Sequence, residues 1–222
     1  MRSVRSYVRR EGRITRAQSR ALAQLWPTYG VVAQGGLLNF VELFGRKAPV
    51  FVEIGFGDGN GLCALARTHP QNNYLGIEVY RPGVGSLLLK LEAAAINNVR
   101  VIREDAAHVF AARIPDASLQ AIYLFFPDPW PKKRHHKRRL VQTHFVELVA
   151  TKLKPGGCFH VATDWQDYAD HIMAVAAQVP ALEKASGAAD FAQRPEFHQL
   201  TRFERRGQAL GHQIWDLVYT CR

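Results

Sequence analysis

The chain has 222 residues, of which 47% are apolar and 22% are charged, which is typical of one folded domain and excludes a largely disordered chain. Its longest purely apolar run, residues 121–126, is far shorter than the roughly 20 residues of a membrane-spanning helix, so no membrane partner is expected. The net charge of +10 favours a polyanionic partner such as a nucleic acid.

Residues 1–45 are predicted to form a basic N-terminal arm with a short helix over residues 16–25, which Pro27 ends. The first 20 residues contain seven Arg and one Glu, and they lack the apolar segment of a secretory signal. An Arg-rich transit peptide is the alternative interpretation of this arm.

Residues 46–222 are predicted to form one domain in which short, continuously apolar strands alternate with helices. The predicted strands are residues 50–54, 74–79, 99–103, 119–126, 158–163, 201–210 and 213–220. The predicted helices are residues 61–68, 82–96, 106–113, 139–153 and 165–179.

This alternation predicts an α/β fold, with a Rossmann-like, mostly parallel seven-stranded sheet and helices on both faces. No helix separates the last two predicted strands, so the final strand should pair antiparallel. Ligands of such sheets bind beyond the carboxyl ends of the strands. The residues at those ends are 53–60, 78–82, 104–106, 126–133 and 163–165.

A glycine-rich loop follows the first predicted strand, with Gly55, Gly57 and Gly59 at alternate positions after Glu53. Glycines let the backbone approach a ligand closely, although a plain glycine turn would have the same pattern. Glu78 ends the second strand 19 residues after Gly59, where a carboxylate can accept hydrogen bonds from ribose hydroxyls. An ordinary strand-end carboxylate is the alternative for Glu78.

Asp105 and Ala106 follow the third predicted strand. A carboxylate at this position can accept a hydrogen bond from an adenine amino group. Nicotinamide sites do not need such an acid, whereas methyl-donor sites commonly use one, so Asp105 favours S-adenosylmethionine as the cofactor. The alternative is that Asp105 caps the helix that starts at residue 106.

The fourth predicted strand ends in Phe-Pro-Asp-Pro-Trp, residues 126–130, where two prolines constrain the backbone around Asp128 and Trp130 offers a stacking surface. The chain continues into residues 132–139, KKRHHKRR, which hold six Lys or Arg and no acid. An acid and an aromatic beside cations resemble a site that reads a nucleobase and holds its phosphates. A solvated loop or a localisation signal is the alternative.

Neither the cysteines nor the histidines predict a metal site. Cys63, Cys158 and Cys221 are widely spaced and form no Cys-x-x-Cys pair, which also favours a reducing, cytoplasmic location. His135 and His136 are adjacent, and adjacent residues rarely bind one ion, so these histidines are expected to face phosphates or solvent.

The chain resembles the bacterial tRNA (guanine-N7-)-methyltransferase family of the class I S-adenosylmethionine-dependent methyltransferases. The matching stretches extend along almost the whole chain: RSYVRREGRIT, VEIGFGDG, GIEVYRPGVG, FFPDPWPKKRHHKRRL, LKPGG with ATDW, and TRFERRGQALGH. The resemblance implies the class I methyltransferase fold, S-adenosylmethionine as cofactor and tRNA as partner. It implies methylation of N7 of the variable-loop guanine, position 46 of tRNA, by a monomer or homodimer with no obligate protein partner.

Together with the glycine loop, the resemblance implies the site residues. Asp128 is the implied catalytic residue, and the implied cofactor-binding residues are Glu53, Gly55, Gly57, Glu78, Asp105, Ala106 and Asp128. The implied substrate-binding residues are Lys132, Asp164, Thr201, Arg202, Phe203 and Glu204; Arg202 stands where the family more often has Lys, which keeps the charge. The implied RNA-contacting residues are Arg134, His135, His136, Lys137, Arg138 and Arg139.

The implied reaction suits these residue types. Guanine N7 carries an available lone pair and loses no proton when it attacks a methyl group, so the protein must supply positioning and electrostatics rather than a strong base. Carboxylates near the base, with Asp128, Asp164 and Glu204 as candidates, would select guanine over adenine by accepting from its N1–H and amino groups.

Three other functions stay open. An RNA methyltransferase acting on an exocyclic amine would use a Pro-Pro-aromatic loop that residues 126–130 superficially resemble. A non-catalytic RNA-binding protein is disfavoured by Glu78, Asp105 and Asp128. A nicotinamide oxidoreductase is disfavoured by Asp105 and by the GxGxG spacing, which differs from GxGxxG.

Overall fold

The computed structural model describes Tyr7 and residues 12–32, 35–185 and 213–222, in which a seven-stranded sheet lies between two layers of helices. The strands are β1 Val50–Ile54, β2 Asn73–Ile77, β3 Val99–Ile102, β4 Leu119–Phe125, β5 Leu153–Thr163, β6 Leu182–Lys184 and β7 Trp215–Cys221. The helices are α1 Arg16–Gln24, α2 Trp26–Tyr29, α3 Phe40–Phe44, α4 Asn60–Thr68, α5 Arg81–Ala93, α6 Ala106–Ala112, α7 Thr143–Lys152 and α8 Gln166–Ala176, with a 3-10 helix at Lys133–Arg138.

The strand order is β3-β2-β1-β4-β5-β7-β6. Strands β1 to β5 pair in parallel, and β7 is antiparallel to both β5 and β6. The chain thus moves outward from β1 to β3 and then returns to β4 beside β1. This reversal brings Ile54 of β1 and Leu124 of β4 into register, so the loops that follow these two strands start side by side. The predicted α/β fold with an antiparallel final strand is confirmed.

Alternate residues of each central strand face opposite layers of helices. Ile122 and Leu124 pack in the cluster that contains Phe145 of α7 and Tyr168 of α8. Tyr123, between them, packs in the cluster of α4 and α5. Burial on both faces explains why the predicted strands are continuously apolar instead of alternating.

Three sequence predictions differ from the structure by more than small shifts of element ends. Pro27 does not end α1, which stops at Gln24; it lies in the first turn of α2. Strand β5 starts at Leu153 rather than at 158, since the Pro155–Gly157 turn lies within it as an irregularity, with Gly156 at φ +75°. Helix α7 starts at Thr143 rather than at 139, because the preceding basic residues form the 3-10 helix. The strand predicted at 201–210 lies outside the described residues, and β7 pairs antiparallel with β5 and with the unpredicted β6.

Helix α1 of the N-terminal region packs directly on α5. A capping box between Thr15 and Gln18 fixes the start of α1, and a Cβ on Gly85 of α5 would lie 2.8 Å from Gln18 Cβ. Farther along, the Val31 N–H donates to the Val101 carbonyl at 2.8 Å. Residues 12–31 therefore pack against the sheet domain, and the boundary at residue 46 stays a prediction. Membrane crossing would need a longer and more apolar helix than any in the described residues.

Candidate functional site at the carboxyl edge of the sheet

A cavity of about 900 Å³ opens at the carboxyl ends of β1 to β4. This is the size and place expected for a ligand site in an open α/β sheet. The predicted cofactor residues that line the cavity are Glu53, Gly55, Gly57, Glu78, Ala106 and Asp128. The cavity is also lined by Arg13, Thr15 and Gln18, from α1 and the residues before it, which the sequence did not indicate.

The glycine loop leaves its backbone open to the cavity. Gly55 and Gly57 have φ values of +73° and +58°, and a Cβ on either residue would meet nothing within 4 Å. These left-handed conformations favour glycine. On the other side of the loop, a Cβ on Gly83 would lie 2.1 Å from the Gly57 carbonyl oxygen, so the start of α5 packs directly against the loop.

Glu78 braces the glycine loop from the end of β2. Its Oε2 accepts from the Gly57 N–H at 2.9 Å, and its Oε1 accepts from the N–H groups of Val79 and Tyr80 at 2.7 and 2.8 Å. Burial raises the pKa of Glu78, these three hydrogen bonds oppose the shift, and nearby Asp128 adds to it. The contact of Glu78 with a ribose stays a prediction.

Glu53 of β1 is a buried carboxyl that lacks a full set of partners. Its side chain is almost completely buried, and its Oε2 has no hydrogen-bond partner among the described residues. Burial, with smaller contributions from Glu78 and Asp58, raises the pKa of Glu53 to about 8. A buried, unpaired acid in a ligand cavity is stabilised when a cationic group enters beside it.

Asp105 occupies the helix-capping position that the sequence analysis kept as its alternative role. Its Oδ1 accepts from the Ala107 N–H at 2.9 Å at the start of α6. Asp105 is not among the cavity-lining residues, whereas its neighbours Glu104 and Ala106 are. The predicted adenine contact of Asp105 therefore stays a prediction, and Glu104 is an additional acid at this edge.

The loop at residues 126–130 carries Asp128 at the mouth of the cavity. Phe126 and Trp130, at its two ends, have φ values of +51° and +47°, a left-handed conformation that is strained for aromatic residues. Asp128 is exposed between them. Trp130 is already in contact, because the Arg138 guanidinium lies 3.7 Å from its ring centroid. Arg138 thus covers indole surface that was expected to stack on a base.

The basic residues that follow separate into an exposed group and a buried one. We call residues 132–138 the basic segment. Lys132, Lys133, Arg134 and Lys137 are exposed, while His135, His136 and Arg138 are half-buried. Arg139 is buried, with an ion pair to Asp167 and a hydrogen bond from its Nε to the Pro129 carbonyl at 3.0 Å. The predicted RNA contact of Arg139 stays a prediction, and in this structure its guanidinium is enclosed by protein.

The remaining predicted residues lie away from the cavity or outside the described part of the chain. Asp164 is half-buried, directly after β5, and does not line the cavity. Thr201, Arg202, Phe203 and Glu204 lie outside the described residues. In the described ranges no group of three or more His, Cys, Asp or Glu side chains could hold a metal ion.

The strand order is that of the class I methyltransferase fold, and a family match defines the class of protein as a methyltransferase. A family model described as "Putative methyltransferase" matches residues 47–217. The structure is similar to that of the 16S rRNA methyltransferase KamB, with a TM-score of 0.62 and 16% identity, covering 87% of this chain and 98% of that one. It is also similar to an S-adenosylmethionine-dependent O-methyltransferase of Thermotoga maritima, with a TM-score of 0.52 and 15% identity, covering 85% and 68%. At these identities the likeness shows the fold alone.

Sequence relatives define the family more narrowly. The tRNA (guanine-N(7)-)-methyltransferase of Hydrogenovibrio crunogenus is 51% identical over 98% of this chain and 91% of its own. The protein of that name from Alkalilimnicola ehrlichii is 54% identical over 100% and 94%. The chain belongs to the tRNA (guanine-N(7)-)-methyltransferase family, as its motifs indicated.

Replacing Glu53 with Gln is expected to remove a pH-dependent destabilisation. The pKa of about 8 in the folded protein exceeds the usual 4.5, so the folded state holds this proton more tightly than the unfolded state. The contribution of the protonated acid to stability is complete below about pH 4.5 and is lost as the pH rises to about 8. In urea unfolding, the free energy of unfolding of Glu53→Gln relative to that of the parent should increase by a few kcal/mol between about pH 5 and pH 9. This increase corresponds to the difference between the two pKa values.

The matched control for that series is Glu147→Gln, the same chemical change at an exposed site on α7. Its stability should follow the parent at every pH. If Glu53→Gln also follows the parent across the range, the carboxyl is ionised throughout and the interpretation of its burial is wrong.

Proposed function

We propose that this chain transfers the methyl group of S-adenosylmethionine to N7 of guanine in tRNA, at the variable-loop guanine of position 46. The observation that carries the proposal is that three features follow one another at the carboxyl edge of the sheet. A cavity with buried acids adjoins the loop at 126–130, and the basic segment follows that loop. Relatives about half identical over nearly the full chain have names that state methylation of guanine N7 in tRNA. The protein acts in the cytoplasm, as a monomer or homodimer, with no obligate protein partner.

The cavity fits S-adenosylmethionine, which supplies a methyl group activated on a cationic sulfonium. The unpartnered Oε2 of Glu53 can accept from the cofactor's ammonium group, and the open backbone at Gly55 and Gly57 allows close approach. Glu78 orients that backbone and would accept from the ribose hydroxyls. Ala106, which lines the cavity, would pack against the adenine, and the second oxygen of the capping carboxylate of Asp105 would accept from the adenine amino group.

Asp128 is the residue that we assign to the reacting base. It lines the cavity yet is exposed on its outer side, so it can contact a guanine that enters from the basic segment. Positive charge moves onto the purine as N7 becomes methylated, and a nearby carboxylate stabilises that charge. Asp164 and Lys132, together with Thr201, Arg202, Phe203 and Glu204, would complete the guanine site.

The basic segment supplies the phosphate contacts. Four exposed cations, together with the half-buried His135, His136 and Arg138, project from a short helix directly after the 126–130 loop. Ion pairs with phosphates release counterions and offset the few kcal/mol that unstacking the target base costs. We leave Arg139 out of this group because its side chain is buried.

The direct experiment is methyl transfer from labelled S-adenosylmethionine to unmodified tRNA, followed by nucleoside digestion and chromatography. Label in 7-methylguanosine is the expected outcome. Methylation of N7 releases no proton, so it needs the positioned carboxylate of the site but no general base. Label in an N-methylated exocyclic amine would replace the proposal with a different RNA methyltransferase. Absence of label, from protein that still binds tRNA, would favour a non-catalytic RNA-binding protein.

Asp128→Ala in the same assay separates chemistry from binding. We expect the single-turnover rate to fall by about 100-fold, in the range of lost transition-state electrostatics. Its affinity for tRNA should change by less than about 3-fold, since a carboxylate does not bind phosphate. An undiminished rate would remove Asp128 from the catalytic role.

Replacing the exposed cations Arg134 and Lys137 with Ala should weaken tRNA binding through its salt dependence. The slope of log affinity against log salt is negative, and each lost phosphate contact should reduce its magnitude by about 0.7 to 0.9. Filter binding at several salt concentrations measures the slope, and calorimetry should show cofactor affinity unchanged. A slope equal to the parent's would mean that this segment does not contact the RNA backbone.

A further inference from the structure

Arg139 joins three segments of the site. Its Nε donates to the Pro129 carbonyl at 3.0 Å, and its Nη2 lies 3.2 Å from His136 Nε2 in the basic segment. The same Nη2 is ion-paired with Asp167 of α8, and the guanidinium lies 4.8 Å from the ring centroid of Tyr168. One side chain therefore contacts the 126–130 loop, the basic segment and the start of α8.

The burial of Arg139 makes these contacts mutually dependent. Its side chain is 1% exposed, and a buried cation is tolerated only when its partners are in place. Tyr168 is fully buried in the core, and its hydroxyl accepts from the Val141 N–H at 3.3 Å. The guanidinium therefore packs against a residue fixed in the core, and its contacts restrict the motion of Pro129 and His136.

The 126–130 loop depends on such an anchor. Left-handed conformations at Phe126 and Trp130 cost of order 1–3 kcal/mol each and persist only where surrounding contacts enforce them. The Phe126 N–H donates to the Ala162 carbonyl at 2.8 Å, which holds the first end of the loop. Pro127 and Pro129 have no N–H to donate, and the Arg139 hydrogen bond holds the second end through the Pro129 carbonyl.

We propose that Arg139 is a positioning residue that fixes the Asp128 carboxylate at the cavity mouth and aligns the basic segment with it. It acts through the Pro129 carbonyl and His136, and it does not touch phosphate. The inference rests on the proposed function for its catalytic readout. Among residues 132–139, four are exposed, three are half-buried and Arg139 is buried, which fits its different role.

Arg139→Lys tests this role, because lysine keeps the charge but cannot hold Pro129 and Asp167 with one planar group. We expect the single-turnover rate of 7-methylguanosine formation, at saturating tRNA and cofactor, to fall by about 10- to 100-fold. The affinity for tRNA and its salt slope should stay within about 2-fold of the parent's, unlike those of Arg134→Ala. NMR order parameters of the Asp128 and Trp130 amides should be lower than in the parent.

Asp167→Asn is the second variant, because Asp167 is largely exposed and its replacement does not empty a buried site. It should also lower the single-turnover rate. The rate of the double variant should be no lower than that of the slower single variant, because both substitutions remove the same coupled contact. The exposed pair Arg222–Glu183, at 3.1 Å, provides the controls Arg222→Lys and Glu183→Gln, which should match the parent.

A parental rate in Arg139→Lys, or a salt slope reduced by about one phosphate contact, would overturn the positioning role. If Arg139→Lys does not fold, Asp167→Asn decides, and a parental rate in that variant has the same meaning. If the parent protein forms no 7-methylguanosine, the proposed function fails on its own. The order parameters at Asp128 and Trp130 then still show whether Arg139 holds the loop, and unchanged values would refute it.

Discussion

The reversal of strand order between β1 and β4 is the constraint on which the rest of the site depends. It places the glycine loop after β1 beside the 126–130 loop after β4, because Ile54 and Leu124 are in register. The ends of β2 and β3 complete the cavity with Glu78 and Ala106. A different strand order would leave the same motifs intact in the sequence but would not bring them around one cavity.

Charge is divided across this edge in a way that suits two ligands of opposite sign. The acids Glu53 and Glu78 lie inside the cavity, where burial raises their pKa values, and the exposed cations lie on the basic segment outside. Asp128 lies between the two regions. A cationic cofactor and a polyanionic substrate can therefore bind side by side, and neither has to cross a surface of its own charge.

Local patterns predicted much of this arrangement. Buried strands, the glycine loop and the acid at Glu78 follow from apolar runs and spacing, which are properties of short segments. The burial of Arg139 was missed because its partners Asp167 and Tyr168 lie on α8, some 28 residues away in sequence, and nothing local distinguishes it from Arg138. The same holds for the cavity wall formed by α1, since only tertiary packing brings that helix to α5.

The most direct test of this account is calorimetry of S-adenosylmethionine binding near pH 7 in two buffers of different ionisation enthalpy. With its pKa of about 8, Glu53 is protonated in the free cavity, and a bound cation should lower that pKa and release a proton. The apparent binding enthalpy of the parent should differ between the two buffers. The apparent binding enthalpy of Glu53→Gln should be the same in both buffers. Equal enthalpies in the parent, or an unchanged buffer dependence in the variant, would contradict the assignment of this cavity to a cationic cofactor.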